Sequence, residues 1–179
     1  MSLLLPPNFN RVKKEGEFII PFKGLNPGQH RFTFKIDDKF FESFEYFDNE
    51  RGTLEIEVNI IREAALIDLQ FLISGGVNLI CDRCLGNYQQ PVSGEFRLIV
   101  KFGKIYLEES DDVVILPVAQ TSLDIKQYIF EYINLILPVK RVHLNPGDCD
   151  REMIKKLKKY SKPEHDPRWD VLKTLKMNK

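Results

Sequence analysis

The sequence predicts an α+β protein with a mostly antiparallel sheet that could close into a barrel. Two observations predict this fold. Segments with alternating apolar and polar residues occupy most of the chain, and helical patterns follow them toward the C-terminus. Strands that alternate regularly with helices would instead indicate a parallel sheet. With 179 residues, 43% of them hydrophobic and 29% charged, the chain can bury a core of ordinary domain size.

The first half of the chain carries most of the strand patterns. Predicted strands cover residues 17–25, 29–36, 52–62 and 66–74. Asn26-Pro27-Gly28 forms a turn between the first two, and Gly75-Gly76 is expected to turn the chain after the fourth. Phenylalanines three and four positions apart predict a short helix over residues 38–47.

The second half changes from strands to helices. Residues 75–80 and 95–102 are strand-like, the acidic run 108–112 is interpreted as a solvated loop, and residues 113–116 form a short strand. The spacing predicts a long helix over 122–137 that covers the sheet, followed by helices at 150–160 and 167–176. We expect a single domain, with a body of residues 1–138 and a basic C-terminal segment of residues 139–179 that packs on it.

The formal net charge of zero conceals a division of charge along the chain. Residues 139–179 carry 12 Lys and Arg against 6 Asp and Glu, whereas residues 1–138 carry 14 against 20. This asymmetry indicates either a segment that meets an anionic partner or a solvated helical tail. No stretch is apolar enough to span a membrane, and the N-terminus lacks the basic start of a signal peptide, so a cytoplasmic protein is expected.

Cys81 and Cys84 lie three positions apart between two strand-like segments, and Cys149 is the third cysteine. Structural zinc sites use thiolates and imidazoles from two loops, so His143 and Cys149 could supply the second half. Asp148 and His165 are weaker candidates for the fourth ligand. Two alternatives remain open, because free cysteines are also common as small buried hydrophobic residues, and a thiol pair can serve redox chemistry.

No catalytic motif is present. The sequence contains no nucleophile elbow, phosphate-binding loop or metalloprotease helix, and its three histidines are scattered. His30 falls in a predicted strand, where a structural role is the simpler interpretation. We therefore expect a protein that is not an enzyme and has no small-molecule substrate.

The helix predicted at 150–160 has one strongly basic face. On a helical wheel, its basic residues and Lys162 fall within an arc of about 160°. These residues are Arg151, Lys155, Lys156, Lys158, Lys159 and Lys162. Such a face suits contact with a phosphate backbone, and the alternative is an ordinary solvated surface.

A second notable string is Asp166-Pro167-Arg168-Trp169, which begins the third predicted helix. Asp166 would cap this helix and Pro167 would occupy its first position. Trp169 lies on an apolar edge, which could pack on the body or bind a partner protein.

Taken together, these residues resemble the YceD family of large ribosomal RNA subunit accumulation proteins. The similarity rests on Cys81, Arg83, Cys84 and Leu85, on the acidic run before the long helix, and on the Asp166–Trp169 string, in that order. It implies a bacterial, non-enzymatic factor for accumulation of 23S ribosomal RNA or assembly of the large subunit, which binds ribosomal RNA or a ribosomal protein. Family members carry further cysteines after the long helix, where this chain has only His143 and Cys149.

Two alternative functions belong to other classes. One is a protein-binding adaptor that uses the acidic body and the Trp169 edge without contacting RNA. The other is a thiol-redox protein that uses Cys81 and Cys84. The role of the Asp166–Trp169 string is not specified by the resemblance.

Overall fold

A computed structural model describes residues 18–44 and 51–161. The strands in these ranges are β1 (Ile19–Pro21), β2 (Gly28–Ile36), β3 (Arg51–Arg62), β4 (Leu66–Ile80), β5 (Asn87–Gly103), β6 (Leu107–Ser110), β7 (Val113–Pro117) and β8 (Ser122–Asp124). Six of them form the main sheet in the order β2-β3-β4-β5-β7-β6, and β1 pairs with β8 in a small second sheet. All these pairs are antiparallel except β5 with β7.

The α+β class and the mostly antiparallel sheet are confirmed, but the expectation of a barrel is wrong. Within the described parts of the chain, β2 and β6 are the two edges of the sheet and do not pair with each other. The parallel pairing of β5 with β7 explains the open form. It places β6 outside β7, so the last strands extend the sheet instead of returning to β2.

One face of the sheet forms the core, because apolar side chains are in register across it. The row from Phe32 through Val58 and Phe71 to Phe96 crosses four strands. Phe32, Val58 and Phe71 are each at most 4% exposed, whereas the residues between the apolar positions of β3 are exposed or half-buried. This alternation is the two-residue period of a sheet with one solvated face.

The described residues contain three α-helices beside the sheet: α1 (Asp38–Glu42), α2 (Lys126–Ile136) and α3 (Arg151–Tyr160). Asp37 caps α1, because its side chain accepts hydrogen bonds from the backbone N–H groups of Lys39 and Phe40. A single 3-10 turn, Pro146–Asp148, precedes α3.

Helix α2 lies on the core face of the sheet. The ring of Tyr132 stacks on Phe96 with centroids 4.4 Å apart, and it meets Phe71 edge-on at 5.2 Å. Phe44, which follows α1, stacks its ring on that of Phe130 in α2, with the ring centroids 3.9 Å apart. Large side chains buried in this way stabilise a fold by about 1.5–3 kcal/mol each.

Strands β4 and β5 form a hairpin of 15 and 17 residues, the longest strands described. The predicted turn at Gly75-Gly76 is therefore wrong, since β4 runs through both glycines. Gly75 is exposed where the alternation of burial calls for a buried residue, and it has a φ of 151°. A Cβ at this position would lie 2.3 Å from the carbonyl oxygen of Thr53 in β3. Glycine serves here as a point of close approach between backbones rather than as a turn.

Several predicted boundaries also differ from the structure. The helix predicted from residue 122 begins at Lys126, because Ser122–Asp124 pairs with β1 as β8. The first predicted strand shortens to Ile19–Pro21, and part of the acidic run becomes β6. The predictions of a helix reaching residue 47 and of a third helix at 167–176 extend to residues outside the described ranges.

No helix among the residues described is long and apolar enough to cross a membrane.

Replacing Gly75 with alanine should destabilise the protein by about 1–3 kcal/mol, because the new Cβ would collide with the backbone of β3 and the φ disfavours a side chain. Gly24→Ala is the matched control, since a Cβ at position 24 meets no atom within 4 Å. Thermal unfolding of both variants measures the difference. Equal unfolding midpoints would show that β4 does not approach β3 as closely as the structure has it.

Candidate metal centre

The turn between β4 and β5 holds the first two cysteines. The backbone N–H of Cys81 donates to the oxygen of Gly86 (2.9 Å), and that of Leu85 donates to the oxygen of Cys81 (2.8 Å). Leu85 has a φ of 59°, in the left-handed region that such a tight reversal requires. The turn directs Cys81 and Cys84 to the inside, where they are 0% and 2% exposed.

A pair of hydrogen bonds brings the second half of the site to this turn. The backbone N–H of Asp82 donates to the oxygen of Arg141 (2.7 Å), and the N–H of Arg141 donates to Oδ2 of Asp82 (2.7 Å). The chain then passes through His143 and the 3-10 turn to Cys149, which is 4% exposed. These two bonds fix a segment distant in sequence against the tip of the hairpin.

The four predicted metal ligands lie together. The ligand atoms of Cys81, Cys84, His143 and Cys149 are all within 4.8 Å of one another. Nδ1 of His143 is 3.6 Å from the sulfurs of both Cys84 and Cys149. Neighbouring ligand atoms around a tetrahedral metal with bonds near 2.3 Å are about 3.8 Å apart, so this cluster could hold a metal ion.

The structure describes one of the two weaker candidates for the fourth ligand, Asp148, but not the other, His165. Asp148 is exposed and does not belong to the cluster. His165 lies outside the described residues. The histidine of the cluster is therefore His143, six positions before Cys149.

Sequence reasoning missed the residues that enclose the cluster. Half-buried apolar side chains pack against the three cysteines, and the ring of Tyr88 lies 5.0 Å from that of His143. The guanidinium of Arg83 is 3.9 Å from the sulfur of Cys149. The packed residues are Tyr88, Val142, Met153 and Ile154. In the sequence, apolar residues beside the cysteines were the available indication of an enclosed site. That these residues meet around the cluster depends on the hydrogen bonds between Asp82 and Arg141, which no local pattern predicts.

The thiols differ in proton affinity. Burial alone would raise the pKa of Cys81, but backbone N–H groups of His143, Arg83 and Cys84 stabilise its thiolate and lower the pKa to about 6. Burial raises the pKa of Cys149, and hydrogen bonds with Cys84 and Cys81 raise it further. Cys81 is therefore mostly a thiolate at neutral pH, whereas Cys149 retains a proton that a metal would displace.

Helix α3 follows the cluster directly. Oδ1 of Asp150 caps the helix by accepting from the N–H of Met153 (2.7 Å). Met153 and Ile154 turn toward the cysteines, whereas the basic residues of the helix are exposed. The exposed set is Arg151, Lys155, Lys156, Lys158 and Lys159. Lys162 and the Asp166, Pro167, Arg168 and Trp169 string lie outside the described residues.

Comparison with known proteins identifies the family. A family model described as large ribosomal RNA subunit accumulation protein YceD matches residues 69–176, which is more than half of the chain. The chain belongs to the YceD family. The match spans all four residues of the cysteine cluster and all of α3. No curated protein and no solved structure gave a significant match.

Membership in the YceD family confirms the predicted resemblance. It also connects the chain to accumulation of large-subunit ribosomal RNA.

Cobalt is a suitable spectroscopic probe of the cluster, because thiolate ligands give it intense charge-transfer absorption. We expect one Co²⁺ per chain in the reduced protein, with affinity at least about tenfold lower in His143→Ala. His30→Ala is the matched control, since His30 is not part of the cluster and its Nε2 bonds the backbone oxygen of Asn26 in the part of the chain described. Equal loss in both variants, or no charge-transfer band in the wild type, would contradict a metal site here.

Cobalt affinity should also rise with pH. Between pH 7 and 8 Cys81 is already mostly a thiolate, but Cys149 must lose a proton, so affinity should increase by at least about tenfold per pH unit. Below pH 6, protonation of Cys81 should make the dependence steeper. Titrations in matched buffers measure the slope, and an affinity independent of pH would show that thiols are not the ligands.

Proposed function

We propose that this YceD-family protein is a non-enzymatic factor of the bacterial cytoplasm that supports accumulation of 23S ribosomal RNA or assembly of the large ribosomal subunit. The observation that carries the proposal is the family match over residues 69–176. In doing so the protein contacts ribosomal RNA or a ribosomal protein.

The metal in this proposal is zinc. Three thiols and one imidazole from two loops are a typical donor set for structural zinc, and enclosure by apolar side chains suits a site without substrate access. Bound zinc would supply structure and no chemistry. Cys81 and Cys84 would hold it from the hairpin, and His143 and Cys149 from the segment that leads into α3, so the metal would anchor α3 to the sheet.

The RNA-contacting surface in this proposal is the basic face of α3. Its lysines are exposed, and the half-buried Met153 and Ile154 hold the helix by the other face. Lysine carries a compact charge without base-reading geometry, so the contact would be with phosphates and would not depend on base sequence.

Reversing the charge of the helix tests this surface. Glutamate at Lys155, Lys156, Lys158 and Lys159 should weaken binding to a 23S ribosomal RNA fragment by at least about tenfold and reduce the slope of log affinity against log salt by about 3. Filter binding over a range of salt concentrations measures both quantities. In cells, the same variant should lower the amount of 23S ribosomal RNA relative to 16S.

A control variant reverses four exposed lysines elsewhere: Lys23, Lys35, Lys39 and Lys104. It changes net charge equally, so it should retain RNA binding if α3 is the contact. Equal losses of RNA binding in the two variants would show that net charge alone, and not the position of the lysines in α3, determines binding. Normal 23S levels in cells lacking the protein would overturn the proposed function itself.

A further inference from the structure

A large cavity lies between α2 and the strands at the β6 edge of the sheet. Its volume is about 1080 Å³, and none of the residues that line it belongs to the cysteine cluster. Residues from the end of β5 to β8 and from α2 line it, including Tyr106, Val113, Leu123 and Tyr132. A cavity of this size can take several side chains of a bound ligand.

The lining is strongly acidic. Only one cationic residue, Lys126, stands among its five carboxylates, and the Lys126 ammonium lies 5.1 Å above the ring of Phe44. The carboxylates belong to Glu108, Asp111, Asp112, Asp124 and Glu131. None of the five has an ion-pair partner in the parts of the chain described.

The hydrogen-bond donors that do reach these carboxylates are neutral. The hydroxyl of Tyr106 donates to Glu108 (2.6 Å), and Nε2 of Gln127 donates to Glu131 (2.8 Å). The backbone N–H of Lys126 donates to Asp124 (2.9 Å). Among the residues that line the cavity, the five negative charges therefore face a single cation, Lys126.

Tyr132 provides an independent indication of a ligand. Its side chain lines the cavity and is only 5% exposed, yet its hydroxyl has no hydrogen-bond partner among the described residues. A buried polar group without a partner costs about 1–3 kcal/mol, so a ligand that supplied a hydrogen-bond partner would recover this energy on binding. Burial and the neighbouring Asp112 raise the pKa of Tyr132, which keeps the hydroxyl protonated.

We propose that this cavity binds a lysine- and arginine-rich segment of a partner protein. The guanidinium and ammonium groups of the segment would pair with the carboxylates of the cavity. Their aliphatic stems would pack on the aromatic walls, where the cations could also make cation–π contacts. A polar group of the segment would form a hydrogen bond with the Tyr132 hydroxyl. Nucleic acid is disfavoured, because five carboxylates would repel its phosphates. The inference rests on the proposed function for the source of the segment, a basic extension of a ribosomal protein.

Fluorescence anisotropy with a labelled peptide of about ten residues, alternating arginine and serine, tests the cavity directly on the full-length protein. Asp112→Asn combined with Glu131→Gln should weaken peptide binding by about tenfold, since both residues are exposed and the chain should fold normally. Glu55→Gln with Glu63→Gln removes two equally exposed charges outside the cavity and should change affinity less than twofold. Equal effects of the two pairs, or no binding by the wild type, would overturn the inference.

Tyr132→Phe removes only the hydroxyl and keeps the ring stacked on Phe96. Peptide affinity should fall by about threefold, while the unfolding temperature of the free protein should stay equal or rise, because no hydrogen bond described in the free protein is lost. Unchanged affinity would contradict the assigned contact.

The variant with four reversed lysines in α3 separates this inference from the proposed function. It should lose RNA binding and still bind the peptide. If the wild-type protein does not bind the peptide, while its RNA binding depends on α3, the cavity inference is wrong and the proposed function stands. Two other ligands are outcomes of the same assay: competition by an RNA of equal length, or by Mg²⁺ alone at micromolar concentration, would identify a different occupant and overturn the proposal.

Discussion

Every residue of β4 pairs with β5, and the other features of the molecule depend on this long hairpin. Its inner face supplies Phe71 and Phe96, on which α2 packs through Tyr132. At its tip, the turn that reverses the chain also buries the first two cysteines. A slip of one residue between the strands would move all their apolar side chains to the solvated face and dissociate the helix from the sheet. One register therefore determines both the core and the position of the cysteine cluster.

The cysteine cluster joins regions that are far apart in the chain. Cys84 and His143 are 59 positions apart, and closing such a loop carries an entropic cost that the two hydrogen bonds between Asp82 and Arg141 help to offset. Helix α3 is short and mostly exposed, and helices of this length are marginal by themselves. Its orientation depends on Met153 and Ile154 at the cluster, so the state of the cluster and the presentation of the basic face are coupled.

Behind the formal net charge of zero, the molecule has two surfaces of opposite sign. The basic face belongs to α3, and the acidic lining belongs to the cavity beside α2. A factor that meets RNA with one surface and a basic protein segment with the other would match the two components of a ribosomal subunit. Electrostatic complementarity of this kind favours fast encounter and rejects partners of the wrong sign at each surface.

The sequence by itself determined the fold class, the paired cysteines, the four members of the cluster and the basic helix. Each of these follows from local periodicity or from the scarcity of cysteine and histidine, which leaves few combinations of ligands. Tertiary structure alone decided the open sheet, because pairing of β5 with β7 is a contact between strands that are not consecutive. It also decided the course of β4 through Gly75, where a position that is typical of a turn instead allows β3 to approach. Tertiary structure also decided the acidic cavity: Glu108 of β6 and Glu131 of α2 line one cavity only when α2 lies on the sheet, and no local pattern in the sequence records that packing.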